Sequence, residues 1–313
     1  MRVLVTGVAG FIGSHLAARL VADGHDVVGL DDMSDGSQEN LARAGGIRFV
    51  NADLRDPPAV AAAAGSCEVI YHQGAKRSVP RSIQEPELFT DVNVRGTLNV
   101  LLAARNEGAR VVAASSSSVY GDQDRFPLVE AMFPRPRSPY AASKLAGEAY
   151  YRSFWLSMGI PAIGLRYFNV YGPGQDPMSE YAAVVPRFVL ACLTGNAPVV
   201  HGDGEQARDF TYIDDVVEAN LLAGRAPDEA QGLSFNIGGG ARPTSINEVL
   251  RMVADITGTT PDPSFEPPRA GDVRHTEADV SLAHDLFGYT PSVGMAEGLE
   301  RTVEHFRAAR SER

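Results

Sequence analysis

Two cysteines, Cys67 and Cys192, are all that the 313 residues contain, and they stand far apart. A disulfide scaffold is thereby excluded, and reduced, buried thiols are expected. The same scarcity argues against a metal site, because no cluster of thiols and imidazoles has ligand spacing. Basic residues are also in deficit: 28 Lys and Arg against 39 Asp and Glu give a formal net charge of -11. A nucleic-acid surface rests on a basic patch or stripe, so no nucleic-acid partner is expected, and an anionic ligand must be met by local arginines. No apolar run approaches the about 18 residues of a membrane span. Met1 leads within one residue into an apolar strand rather than into a basic leader with a cleavage site. The expectation is a cytoplasmic protein with no membrane partner.

What is present is a chain 44% hydrophobic, long enough to bury a large core in two cooperating lobes. Short apolar runs (Val3-Leu4-Val5, Asp26 to Leu30, Ile47 to Val50, Val69-Ile70-Tyr71, Arg110 to Ala114, Ile163 to Tyr167) alternate with helical spacing over Phe11 to Ala22, Pro86 to Asn106 and Pro139 to Met158. That alternation predicts an α/β fold, a doubly wound parallel (Rossmann) sheet with helices on both faces. After Tyr171-Gly172-Pro173-Gly174 the pattern loses regularity, and Pro and Gly clusters multiply. We therefore divide the chain into residues 1–170, to which 209–239 return by a helix (Phe210 to Leu222) and a strand (Ser234 to Ile237), and a smaller mixed α/β lobe of 171–208 and 240–313.

Gly7-Val8-Ala9-Gly10-Phe11-Ile12-Gly13 follows the first strand and opens a helix, the context in which a glycine motif binds a dinucleotide. Backbone amides at the helix start can then meet a pyrophosphate. A tight turn in a nucleotide-free sheet is the plainer alternative. Asp31 closes the second strand near the roughly 20-residue distance at which a carboxylate accepts from the adenosine ribose. Asp31-Asp32-Met33-Ser34 holds no arginine, so a 2′-phosphate is repelled and NAD is favoured over NADP; either aspartate could instead cap the next segment. Asp53 is a candidate for the adenine amine and equally a turn former. Farther along, Tyr140 and Lys144 lie one helical turn apart, so an ammonium can stabilise a phenolate on the same face. A packed ring beside a solvated charge is the commoner fate of such a pair. With the glycine loop and Ser115-Ser116-Ser117-Ser118-Val119-Tyr120-Gly121 upstream, the set reads as a hydride-transfer site.

At these residues the chain resembles the extended short-chain dehydrogenase/reductases, and within them the nucleotide-sugar 4-epimerases of the UDP-glucose and UDP-N-acetylglucosamine type. The likeness also runs through His72-Gln73-Gly74-Ala75, Asn93 to Thr97, Arg166-Tyr167-Phe168-Asn169, Arg208 to Asp215 and Arg269 to Arg274. It implies a tightly held NAD regenerated in each turnover, and Ser116, Tyr140 and Lys144 as the catalytic set. It places Gly7, Gly10, Phe11, Ile12, Gly13, Asp31, Asp32, Asp53, Leu54, Gln73, Ala75 and Asn93 at the cofactor, together with Tyr140 and Lys144. On the substrate side it implies Arg77, Ser78, Ser116, Ser117, Tyr140 and Asn169. Arg208 and Arg274 are expected to clamp a diphosphate, and Val184 and Val185, within Tyr181 to Phe188, to pack on a uracil ring. A homodimer through the helices of Pro86–Asn106 and Pro139–Met158 is expected.

Family dehydratases carry acidic residues after the catalytic hydroxyl, where this chain has Ser117 and Ser118. A serine has no proton affinity suited to elimination near neutral pH, so 4,6- and 5,6-dehydration are disfavoured. The expected activity is interconversion of gluco and galacto UDP-hexoses, N-acetylated or not. A dehydratase, a 4-ketoreductase and a non-catalytic NAD-sensing protein remain as alternatives, since fold does not fix function. Ser78-Val79-Pro80-Arg81-Ser82 looks most like enzymes accepting N-acetylated hexosamines, and Pro80 stands where relatives acting on uronic acids have arginine. Lys76 and Arg77 are expected to add charge near the nicotinamide.

Overall fold

The computed structural model describes residues 1–178, 183–268 and 273–311. Its centre is a seven-stranded sheet of β1 (Arg2–Thr6), β2 (Asp26–Asp31), β3 (Arg48–Asn51), β4 (Val69–His72), β5 (Arg110–Ser116), β6 (Ala162–Tyr167) and a last strand, Ser234–Ile237. The spatial order is β3-β2-β1-β4-β5-β6-(Ser234–Ile237), and every pairing is parallel. All six strands read from the sequence are present, and the last strand returns beside β6. The inner strands are apolar on both faces because helices cover both, whereas edge strand β3 leaves Arg48, Phe49 and Asn51 exposed. Val3, Val5, Val27 and Val112 face one core with Leu16, Leu20 and Val216. Leu4, Val28, Ile70 and Val111 face the other with Val60, Leu101 and Ala104.

The first core lies under α1 (Phe11–Ala22) and the helix Ile213–Ala223; the second lies under α3 (Pro57–Ala64) and α6 (Gly96–Glu107). Between α1 and α3 comes α2 (Gln38–Arg43), and α4 (Val79–Gln84) and α5 (Pro86–Phe89) precede α6; α7 (Pro139–Met158) is the helix that carries Tyr140 and Lys144. Strand order reverses between β1 and β4, and in such sheets ligands bind beyond the carboxyl ends of the strands at that switch point. Outside the sheet, the helices Val184–Thr194, Ile246–Thr257 and Met295–Ser311 pack on one another.

One element departs from its expected form. The helix expected over Pro86–Asn106 is α5, then a π-helical turn at Thr90–Arg95, then α6. The wider turn presents the Asn93 amide inward, where it accepts from the Lys76 N–H (2.7 Å) and donates to the Lys76 carbonyl (3.0 Å) and to Ser143 Oγ (2.9 Å). Local gain of three buried hydrogen bonds offsets the poorer helical geometry, as at many functional π-bulges.

Candidate active site

The β1–α1 turn is built by contact distance. Gly7 has φ +69°, and a Cβ there would lie 2.6 Å from the Gly74 backbone; a Cβ on Gly13 would lie 2.1 Å from the Gly7 carbonyl. Chain ends of β1 and β4 thus meet backbone to backbone. Gly10 caps α1 without any side-chain bond, leaving the first helical amides for an anionic ligand. They face a cleft of about 440 Å³ whose wall includes Gly7, Gly10, Phe11, Ile12 and Gly13.

At one end of this cleft lie Asp31, Asp32, Asp53 and Leu54. Asp31 accepts from the Ala9 N–H (3.0 Å) and the Met33 N–H (2.8 Å), so the carboxylate is fixed before any ligand arrives; burial raises its pKa. Asp32 accepts from Ser34 N (2.9 Å) and also from the Ser34 hydroxyl. Asp53 is bound by Arg55 (Nη2 to Oδ2, 2.6 Å), which holds its carboxyl below the usual range. Lys76 sits at this same end, donating to Ser34 Oγ (2.6 Å) and Asp35 Oδ2 (2.7 Å). Lys76 thus lines the same cleft with its charge committed to Asp35. Its residue is buried and its four-carbon stem reaches across to the β2 loop, so of the two cations only Arg77 lies beside Tyr140.

At the other end, Ser116, Ser117, Tyr140, Lys144, Arg77 and Asn169 share the wall. Ser116 ends β5, while Ser138 caps α7 by accepting from the Ala141 N–H (3.1 Å), with Pro139 at the first helical position. That cap sets Tyr140 in the first turn, facing β5, with its ring edge-on to Phe89 at 6.3 Å. Burial raises the phenol's pKa, and a hydrogen bond from Ser116 and the charge of Arg77 pull it down. Lys144 donates to the Ala114 carbonyl (2.9 Å); burial lowers its pKa to about 8, against an upward pull from Glu148.

Gln73 and Ala75 also line the cleft. The Gln73 amide is tied back, accepting from Tyr167 Oη (3.0 Å) and donating to Asn220 Oδ1 (2.9 Å). Six expected residues lie away from the cleft wall. Asn93 is spent on Lys76 and Ser143, and Ser78 caps α4 by accepting from the Arg81 N–H (3.2 Å). Val185 is core at 1% exposure, and Val184 packs against that core. Arg208 is buried and donates to its neighbour's carbonyl at Ala207 (2.9 Å). Arg274, 72% exposed, is paired with Asp203 (2.8 Å). Tyr181, Ala182 and the segment Arg269 to Asp272 lie outside the described residues. Among those described, no group of His, Cys, Asp and Glu could hold a metal, and no helix is long and apolar enough to cross a membrane.

Two buried networks that the sequence did not disclose brace this wall. In the first, the Arg166 guanidinium donates to both Glu148 oxygens (2.9 and 2.7 Å) and to Tyr120 Oη (2.8 Å), and Ser115 Oγ donates to Glu148. In the second, the Gly74 N–H donates to Thr6 Oγ1 (3.1 Å), which contacts His72 Nδ1 (2.8 Å); His72 Nε2 contacts Thr97 Oγ1 (3.0 Å), which donates to the Asn93 carbonyl (2.6 Å). Since the Thr97 proton goes to the Asn93 carbonyl, Thr97 accepts from Nε2–H, and in the neutral imidazole that burial favours Thr6 donates to Nδ1. Burial lowers the His72 pKa to about 3. A depressed folded pKa gives stability that is whole above the unfolded value near 6.5 and drains away as pH falls toward 3, at about 1.36 kcal/mol per unit. Melting temperature should fall steadily from pH 6.5 to 4, and His72→Asn should flatten that slope; an equal slope in both proteins would place the acid lability elsewhere.

A parallel sheet with a glycine-floored switch point, and a Ser–Tyr–Lys set at the same cleft, defines a dinucleotide-dependent enzyme of the short-chain dehydrogenase kind. The comparisons agree. The NAD dependent epimerase/dehydratase family matches residues 3–238, and the chain belongs to that family. It is 44% identical, over 98% of this chain and 99% of the relative, to the UDP-glucose 4-epimerase of Mycolicibacterium smegmatis. Among solved structures it is similar to the UDP-glucose 4-epimerase of Thermotoga maritima with UDP-glucose, at 38% identity and TM-score 0.94, covering 99% of this chain and 100% of that one. It is also similar to the UDP-N-acetylglucosamine 4-epimerase of Methanobrevibacter ruminantium in complex with UDP-N-acetylmuramic acid, at 36% identity and TM-score 0.93, with 98% of each chain covered.

Proposed function

We propose that this protein is an NAD-dependent UDP-hexose 4-epimerase, interconverting gluco and galacto forms of UDP-glucose, UDP-N-acetylglucosamine or both. The observation that carries the reading is the Ser116–Tyr140 pair at the cleft wall, flanked by Ser117 and Ser118 rather than by a second carboxylic acid. The cleft suits NAD: a Cβ would fill the cradle at Gly7 and Gly13, α1 lacks a side-chain cap, and the Asp31 carboxylate is prefixed as an acceptor. Held there, NAD would supply a reversible hydride acceptor for the sugar C4, so the interconversion would involve no net redox.

The chain's own residues handle the proton and the orientation. Tyr140 Oη accepts the proton of the sugar 4-hydroxyl and later gives it back, and Ser116 donates to the same centre and spreads its charge. Lys144, cationic below about pH 8, biases Tyr140 toward phenolate. Arg77, Ser78, Ser117 and Asn169 surround the sugar and its phosphates in this reading. Arg208 and Arg274 clamp the diphosphate from the lobe of 171–208 and 240–313, with Arg274 exchanging Asp203 for phosphate, and the half-buried Val184 borders the base. Buried free thiols at Cys67 and Cys192 and the exposed Leu156 and Met158 on α7 support a cytoplasmic homodimer.

The test is to incubate the purified protein, without added cofactor, separately with UDP-glucose and UDP-N-acetylglucosamine and follow the sugar by proton NMR. The galacto epimer is expected, and the faster substrate ranks the N-acetyl group. A 4-keto or unsaturated product, or inertness until NAD(P)H is supplied, would overturn the epimerase reading for a dehydratase or a reductase.

A further inference from the structure

The Ser116 hydroxyl has one proton to give and two lone pairs to fill. Residue 118 fills both: its backbone N–H donates to Ser116 Oγ at 3.2 Å and its side-chain hydroxyl donates to the same oxygen at 2.9 Å. With its acceptor sites taken, Ser116 can act only as a donor, and the Tyr140 phenol shares the cleft wall with it. Ser118 itself is not part of that wall.

The turn that holds Ser118 is rigid for reasons visible in the packing. Ser116 caps the 3₁₀ turn Ser117–Tyr120, whose last two residues, Val119 and Tyr120, are 0% exposed. The Arg135 N–H donates to the Val119 and Tyr120 carbonyls (3.1 and 3.3 Å), and a Cβ on Gly121 would strike the Arg135 carbonyl at 1.8 Å. The loop therefore cannot rotate Ser118 away without breaking buried contacts.

We infer that Ser118 is a positioning residue that fixes the polarity of Ser116, forcing its proton toward Tyr140 and thereby favouring the phenolate over the phenol. This rests on the epimerase reading for its kinetic consequence, and the ionisation itself does not. Without the Ser118 hydroxyl, one Ser116 lone pair opens and the phenol can donate back, a hydrogen bond that favours the neutral form. Since the base must be ionised to accept the sugar proton, the acid limb of the rate profile then moves to higher pH.

In the holoenzyme as purified, Ser118→Ala should raise the acid-limb midpoint of kcat by about half to one pH unit and lower kcat at neutral pH roughly three- to tenfold, the scale of one hydrogen bond. NAD content should not change, and Ser118→Thr, which keeps the hydroxyl, should restore the midpoint. In a Ser116→Ala background the added Ser118→Ala should shift nothing further, because there is no hydroxyl left to orient. An unshifted midpoint in Ser118→Ala, or the same shift with Ser116 already gone, overturns the inference. If the wild-type protein converts no UDP-sugar, the functional reading fails alone. The ultraviolet titration of Tyr140, taken as the difference from Tyr140→Phe, then decides: a higher midpoint in Ser118→Ala supports the polarity role, and an equal one sinks it.

Discussion

Replacing Tyr140 with phenylalanine should reduce kcat for UDP-hexose epimerisation by roughly 10²- to 10⁴-fold, the range of a lost general acid–base group. The variant removes one oxygen and keeps the ring, whose edge-on contact with Phe89 at 6.3 Å is independent of that oxygen. Lys144 retains its bond to the Ala114 carbonyl (2.9 Å), and the Gly7–Gly13 turn and Asp31 are untouched. Bound NAD and melting temperature should therefore match the wild type while turnover collapses. KM should change little if the phenol acts mainly in the transition state. NAD content by absorbance, a thermal melt and the NMR assay on one preparation separate the outcomes. Full activity would remove Tyr140 from the chemistry, whereas loss of NAD or of folding would recast it as a structural residue.

Legibility in the sequence followed physical cause. The inner strands are readable because parallel strands covered on both faces are apolar throughout, and Phe11–Ala22 and Pro139–Met158 are readable from their helical spacing, with a Ser138 cap marking the start of the second. The π-helical turn at Thr90–Arg95 was hidden, since what widens it is the Asn93 amide reaching Lys76 and Ser143 from another part of the chain. Lys76 is adjacent to Arg77 in sequence, yet a long side chain carries its charge to Asp35. Beyond Tyr171 the sequence shows only a break in pattern. The helices at Val184–Thr194 and Ile246–Thr257 are recognisable by mutual packing, and the Arg274–Asp203 pair spans too much sequence for any local motif to announce it. Glu148 lay one turn beyond Lys144 in plain view; its meaning depended on Arg166 arriving from β6.

That pair is the site of the largest expected loss of stability. Arg166 and Glu148 are 6% and 7% exposed and joined by two charge-assisted hydrogen bonds, with Ser115 on the carboxylate and Tyr120 on the guanidinium, whose carbon also sits 4.7 Å from the Tyr120 ring centroid. Glu148→Ala strands a buried cation that cannot shed its proton, and removing one partner of such a pair costs about 3–5 kcal/mol. For a chain of this size that lowers the melting temperature by roughly 5–8 °C. An exposed comparison exists in Arg242–Glu248, where Glu248→Ala should cost no more than about 1 kcal/mol. A double variant, Glu148→Leu with Arg166→Met, should regain part of the loss, since an apolar pair of similar volume needs no counter-charge. The same carboxylate draws the Lys144 pKa upward against burial, so its removal lets the ammonium lose its proton at lower pH, and the basic limb of the kcat profile should begin below pH 8. A melt unchanged by Glu148→Ala would mean that solvent reaches Arg166. An unshifted basic limb beside a lowered melting temperature would confine Glu148 to holding α7 against the sheet.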